Sequence, residues 1–185
     1  MNPRTPEASP LPIDNPVHPE LASALASCFA RLADAGSLSV SRVATVQLAH
    51  YPEGAVLPDP DRMASLVVPI AGGVVGTGIV SFPPDEALAL IEAWSDRPLA
   101  GKDALACYRR GTRALAEAGL RALGFAAGPA DALEEDALVG TLVGTHAAAD
   151  TAVLSAALDV DLDGAAFRGV FVLLAEAKAV QPLQA

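Results

Sequence analysis

Aromatic residues make up only 4% of this 185-residue chain: one Trp, two Tyr and five Phe. The core must therefore be aliphatic and alanine-rich, drawn from a hydrophobic share of 52%. Cysteine is equally scarce, at two residues, Cys28 and Cys107. Both sit among small apolar neighbours in helical stretches and read as buried free thiols, not a disulfide or a nucleophile. Basic residues number 12 against 22 acidic ones, a net charge of −10. A phosphate-backbone partner needs a basic surface, so no nucleic acid is expected. No apolar run reaches the roughly 18 residues that span a bilayer. The proline-rich start has neither the basic end nor the apolar segment of a signal peptide. No membrane insertion and a cytoplasmic location are expected. The three histidines, His18, His50 and His146, show no metal-ligand spacing, so neither a metal nor a cofactor is expected.

The most informative stretch is 64–94, ASLVVPIAGGVVGTGIVSFPPDEALALIEAW. Two β-rich runs, 65–70 and 74–82, flank Ala71-Gly72-Gly73. A Gly-Gly pair between such runs predicts a hairpin, because glycine accepts the positive φ of a tight turn. Pro83-Pro84 ends the second strand, and Asp85-Glu86 opens an amphipathic helix that Trp94 closes.

Around it, residues 1–19 hold six prolines and read as an extended tail. Leu21, Leu25, Cys28, Phe29 and Leu32 recur at helical spacing, predicting a helix over 20–35. Alternation predicts a strand over 39–50, then a proline-marked loop over 51–61. A linker at 95–101 leads to a long helix over 102–124, with Leu105, Tyr108, Leu115, Leu120 and Leu123 on or near one face. A loop over 125–135 and a strand over 137–147 follow. Two more strands, 151–162 and 165–175, are joined by Asp163-Gly164, a strong hairpin signal.

Helix, strand, loop and hairpin thus occur twice. Sliding the chain by ninety residues sets Leu25 on Leu115, Ala26 on Ala116 and Gly73 on Asp163. The expected fold is α+β. Two pseudo-symmetric α-β-β-β halves, 20–94 and 102–179, share one antiparallel sheet within a single domain, 20–185, behind the tail.

Three constellations carry no chemistry. Gly73-Val74-Val75-Gly76-Thr77-Gly78 lies between two strands, so it is a hairpin and not a nucleotide loop. The Asp159–Gly164 run resembles half a calcium loop, but Val170 stands where a bidentate Glu belongs. No G-x-S-x-G elbow is present to activate a serine.

The G-x-x-G-x-G hairpin VVPIAGGVVGTGIVSF leads into the acidic helix EALALIEAW. A second long helix, DALACYRRGTRALAEAGLRALG, precedes strands ending FRGVFVLLAEAKAV. In this element order the chain resembles the CheC/CheX/FliY family of chemotaxis phosphatases over most of 20–179. The resemblance implies long paired helices on the sheet and binding to a CheY-type receiver domain. Active members dephosphorylate its aspartyl-phosphate, using Glu-x-x-Asn on an exposed helix face. The i, i+3 spacing puts both side chains on one face. The amide orients the attacking water while the receiver supplies the metal.

The corresponding positions here depart from that motif. Glu20 and Ser23 retain the acid and lack the amide. Ninety residues on stand Arg110 and Arg113, with Arg109 beside them. Guanidinium only donates, so it cannot orient a water as an amide does, but it can bind a carboxylate or a phosphate. Glu20 and Ser23 are accordingly the candidate catalytic pair, and Arg109, Arg110 and Arg113 a candidate partner-binding patch. The expected function is receiver binding, with any phosphatase activity degenerate. A non-catalytic adaptor of the same fold, self-associating as a homodimer, and a small-ligand domain with a site between the halves are the alternatives.

Overall fold

The computed structural model describes residues 13–15, 23, 27, 38–57, 63–95, 97–129, 147 and 149–183. Among these residues six strands form one antiparallel sheet: β1 (Ile13–Asn15), β2 (Leu38–Tyr51), β3 (Ala64–Pro69), β4 (Gly76–Phe82), β5 (Thr151–Leu162) and β6 (Ala165–Glu176). Their spatial order is β1-β2-β5-β6-β4-β3. Helices α1 (Pro84–Trp94) and α2 (Gly101–Ala122) both pack on β6. A short α3 (Ala177–Val180) and a 3-10 turn, Gln181–Leu183, follow β6.

Both predicted hairpins form. Asp163 (φ 51°) and Gly164 (φ 86°) make the two-residue turn between β5 and β6, with positive φ at both positions as right-twisted strands require. Gly72 and Gly73 also take positive φ, but the connection from β3 to β4 is a wider loop, closed where Ile70 N–H donates to Gly76 O at 3.0 Å. β4 therefore begins at Gly76 and not at Val74, which leaves Val75 69% exposed at the tip.

The two hairpins meet along their second strands. β4 pairs with β6 from Gly76↔Ala175 to Ser81↔Val170, giving the order β3-β4-β6-β5 about a central seam. That is the arrangement two related halves would adopt. The halves still differ: the eleven-residue α1 after the first hairpin has only the four-residue α3 after the second. The helix expected over 20–35 falls outside the described residues, apart from Ser23 and Ser27, which are helical and exposed. The strand expected over 137–147 also falls outside them, apart from Ala147. Ala147 is buried and exchanges hydrogen bonds with Gly54 (2.7 Å) and Ala55 (2.8 Å).

One expectation is corrected. The proline-rich tail is not wholly separate from the domain, because Ile13–Asn15 pairs with β2 through Ile13↔His50 and Asn15↔Leu48. Three residues between prolines are too few to show an alternating pattern. A partner strand already in place supplies the missing half of the ladder.

The core lies between the sheet and the two helices. Val80, Phe82, Phe171, Leu173, Leu154 and Leu158 share one sheet face and form one cluster with Tyr108, Leu115, Ala116 and Leu120 of α2, all almost fully buried. With so few aromatics, close approach depends on glycine. A Cβ at Gly111 would collide with the Trp94 ring, one at Gly119 with Phe171, and one at Gly78 with Leu120 at 2.8 Å. Cys107 is a buried free thiol on α2, while Cys28 lies outside the described residues.

Candidate functional site

α2 carries the candidate partner-binding arginines, and its sequence fixes which way it faces. Asp103 sits in the first turn and Arg121 in the last, each complementing the helix dipole. Tyr108, Leu115 and Leu120 anchor the inner side. The Tyr108 hydroxyl donates to Ala64 O at 2.7 Å, pinning the helix to the open end of the first hairpin. Burial pushes the Tyr108 phenol well above its ordinary range, and a backbone hydrogen bond from Phe82 opposes this weakly. Thr112 is buried and returns its hydroxyl to Tyr108 O at 2.7 Å, so it has no hydrogen left for a ligand.

The outer side holds the three arginines in three different states. Arg113 is tied down: its Nε lies 2.6 Å from Glu117 Oε1, and Nη2 donates to Gly128 O at 3.3 Å. This i, i+4 pair, 28% and 33% exposed, braces the chain that returns from the helix end. Arg109 is half-buried and has a contact of its own. Arg110 is exposed, with no hydrogen bond or ion pair among the described residues. Of the candidate patch, then, Arg110 is free for a partner, and Arg113 serves mainly as a brace.

Of the candidate catalytic pair, one member lies among the described residues. Ser23 is helical and exposed, and Glu20 lies outside the described residues. No amide stands on α2, and the chain's only asparagines are Asn2 and Asn15. Asn15 is on β1, at the sheet edge.

Asp159, Asp161 and Asp163 are explained without a cation. Asp161 Oδ1 accepts Gly164 N–H at 3.2 Å, and Asp159 faces Arg168 at 3.9 Å. Among the described residues, no group of three His, Cys, Asp or Glu side chains could hold a metal. None of the described helices is long and apolar enough to cross a membrane.

Sequence reading missed an open cleft of about 480 Å³ at the end of the sheet, lined by Glu53, Asp150, Glu176, Lys178 and Gln181. Glu53, Asp150 and the segment 176–181 are distant in sequence, and the pairing of Thr151 with both Tyr51 and Glu176 gathers them. Its side chains partly satisfy one another: Lys178 binds Glu176 at 2.7 Å, and Asp150 accepts Glu53 N–H at 3.2 Å. A charged, open surface of this kind is unlike the apolar, enclosed pocket of a small-ligand site.

No family model matches the sequence, and no curated protein matches it. Solved structures do match in shape. The FliM middle domain of H. pylori superposes with a TM-score of 0.53 at 15% identity, over 90% of this chain and 98% of that one. A chain of the H. pylori FliM–SpeE complex gives 0.52 at 14% identity, over 91% and 94%. FliY of Thermotoga maritima gives 0.49 at 10% identity, over 90% and 95%. The chain therefore has the CheC/FliY-like α+β fold of the FliM middle domains, a likeness of fold at 14–15% identity.

Proposed function

We propose that this chain is a non-catalytic protein-binding domain of the chemotaxis and flagellar-switch type, which docks a CheY-type receiver domain on the exposed side of α2. The observation that carries this reading is Arg110, exposed and uncommitted on a rigid, buried-core helix in an otherwise acidic protein. A guanidinium in that position suits the carboxylate-rich surface of a receiver. Catalysis is disfavoured on chemical grounds. With Arg113 held by Glu117 and Gly128, no amide on the helix and the Tyr108 and Thr112 hydroxyls buried, no exposed side chain of α2 can both donate to and accept from an attacking water. On this reading Ser23, helical and exposed, is a surface residue of the half 20–94 that pairs with 102–179, and neither it nor Glu20 has a catalytic role. The receiver partner makes the cytoplasm the site of action. The H. pylori FliM–SpeE complex supports use of this fold for binding proteins.

The test is titration calorimetry of the whole chain with purified receivers, with and without acyl-phosphate loading, alongside the rate of receiver dephosphorylation. Binding that Arg110→Glu abolishes, with the dephosphorylation rate unchanged, is the expected result. Absence of binding to every receiver would remove the receiver assignment. Faster dephosphorylation would remove the non-catalytic one.

A further inference from the structure

α1 and α2 lie side by side on one sheet face, locked where the Trp94 ring covers Gly111. Their outer sides carry opposite charge. α1 has Asp85, Glu86 and Glu92 and no cation, a net −3. α2 has Lys102, Arg109, Arg110, Arg113 and Arg121 against Asp103 and Glu117, a net +3. Part of this charge is already committed within the molecule, and Arg109 has a contact of its own. Glu86 accepts the backbone N–H of Arg168, and Arg113 is held by Glu117. Asp85, Glu92, Lys102 and Arg110 are all exposed, and none of the four is in a salt bridge among the described residues. Leu88, 60% exposed, stands on α1 among the acids.

We propose that this face is a two-fold interface between two copies of the chain. A two-fold axis along the boundary between the helices sets the acidic strip of each copy over the basic strip of the other, so one surface is its own complement. An axis across the helices would set like charge on like. Leu88 then loses water at the centre of the contact instead of remaining exposed. The contact is small. An eleven-residue α1 is about 16 Å long and two helices are about 20 Å wide, or roughly 300 Å² per copy, below the ~800 Å² per partner of a standard interface. The dimer is therefore weak and salt-sensitive, because exposed charges are screened beyond about 10 Å at 0.1 M salt. It covers Arg110, so dimer and receiver complex exclude each other. The inference does not rest on the receiver reading, since it is measured on the chain alone.

Sedimentation velocity of the full chain over a wide concentration range, at low and high salt, tests it. The wild type should dimerise at low salt and dissociate at high salt. Reversing the acidic strip (Asp85→Lys with Glu92→Lys) or the basic strip (Lys102→Glu with Arg110→Glu) should each weaken self-association by about tenfold or more. Mixing the two variants should restore a dimer, because every strip then meets its opposite; this also shows that both are folded. Should either double variant fail to fold, Arg110→Glu alone carries the comparison, with its thermal melt as control. A wild type that stays monomeric at the highest concentration in low salt overturns the proposal. So does a dimer that survives either reversal, or folded variants that do not associate on mixing.

Discussion

The ring of Phe171 on β6 occupies the space that a Cβ on Gly119 of α2 would fill. The helix can approach the sheet this closely only because that position has no side chain. Gly119→Ala gains up to about 1 kcal/mol of helix propensity. It also forces a methyl into a fully buried aromatic ring, at a cost of about 1–3 kcal/mol. The net expectation is destabilisation in urea unfolding. Phe171→Leu in the same chain should recover part of the loss, since neighbouring substitutions couple. Additive losses in the double variant would contradict this packing.

Tyr108→Phe removes the donor to Ala64 O while keeping the ring. A buried carbonyl left without its partner should lower stability by about 1–3 kcal/mol. The pH dependence has a definite sign. Burial holds the folded-state phenol above the unfolded value of about 10, so the folded chain keeps a proton that the unfolded chain releases. The stabilisation is complete below pH ~10 and is lost as the pH rises above it. Denaturant midpoints across this alkaline range should fall more steeply for the wild type than for Tyr108→Phe; parallel curves would refute the assignment.

Arg113 and Arg110 are separated in role by Glu117. Glu117→Gln weakens a pair about one-third exposed and should cost less than ~1 kcal/mol, with receiver affinity unchanged. Arg110→Ala should show the converse: an unchanged melting temperature and weakened receiver binding. Calorimetry and thermal melts on the two variants give the comparison. Equal effects of both on affinity would mean that the brace and the contact are not distinct.

The turn at Asp163-Gly164 sets the register of the long β5–β6 hairpin. Gly164→Ala puts a side chain at φ 86° and should cost about 1–2 kcal/mol. Replacing Asp161 by Ala should cost less, because only one exposed hydrogen bond to Gly164 N–H is lost. Chemical denaturation of both variants checks the order, and a reversed order would show that Asp161 shapes the turn more than Gly164 does.

Both hairpins, the helix closed by Trp94 and the long helix with Tyr108 and Leu120 inside were legible because their signals are local. Turn glycines, prolines at strand ends and apolar spacing act over a few residues. β1 was not legible: Ile13–Asn15 is a strand only because β2 offers an edge. The wider loop before Gly76 was missed because two adjacent residues with positive φ permit more than one connection. The cleft of Glu53, Asp150 and Glu176 had no sequence signature at all.

The α+β composition, the absence of the Glu-x-x-Asn amide and the placing of three arginines within five positions of one helix were determined by the sequence alone. Each is a matter of residue identity and helical period. Which arginine is free was decided by the tertiary structure, because Gly128 returns to Arg113 only after the chain has turned beyond Ala122. The seam of β4 against β6 was decided there too. Strand pairing is a contest among distant edges, and which edge wins depends on the whole core being buried at once.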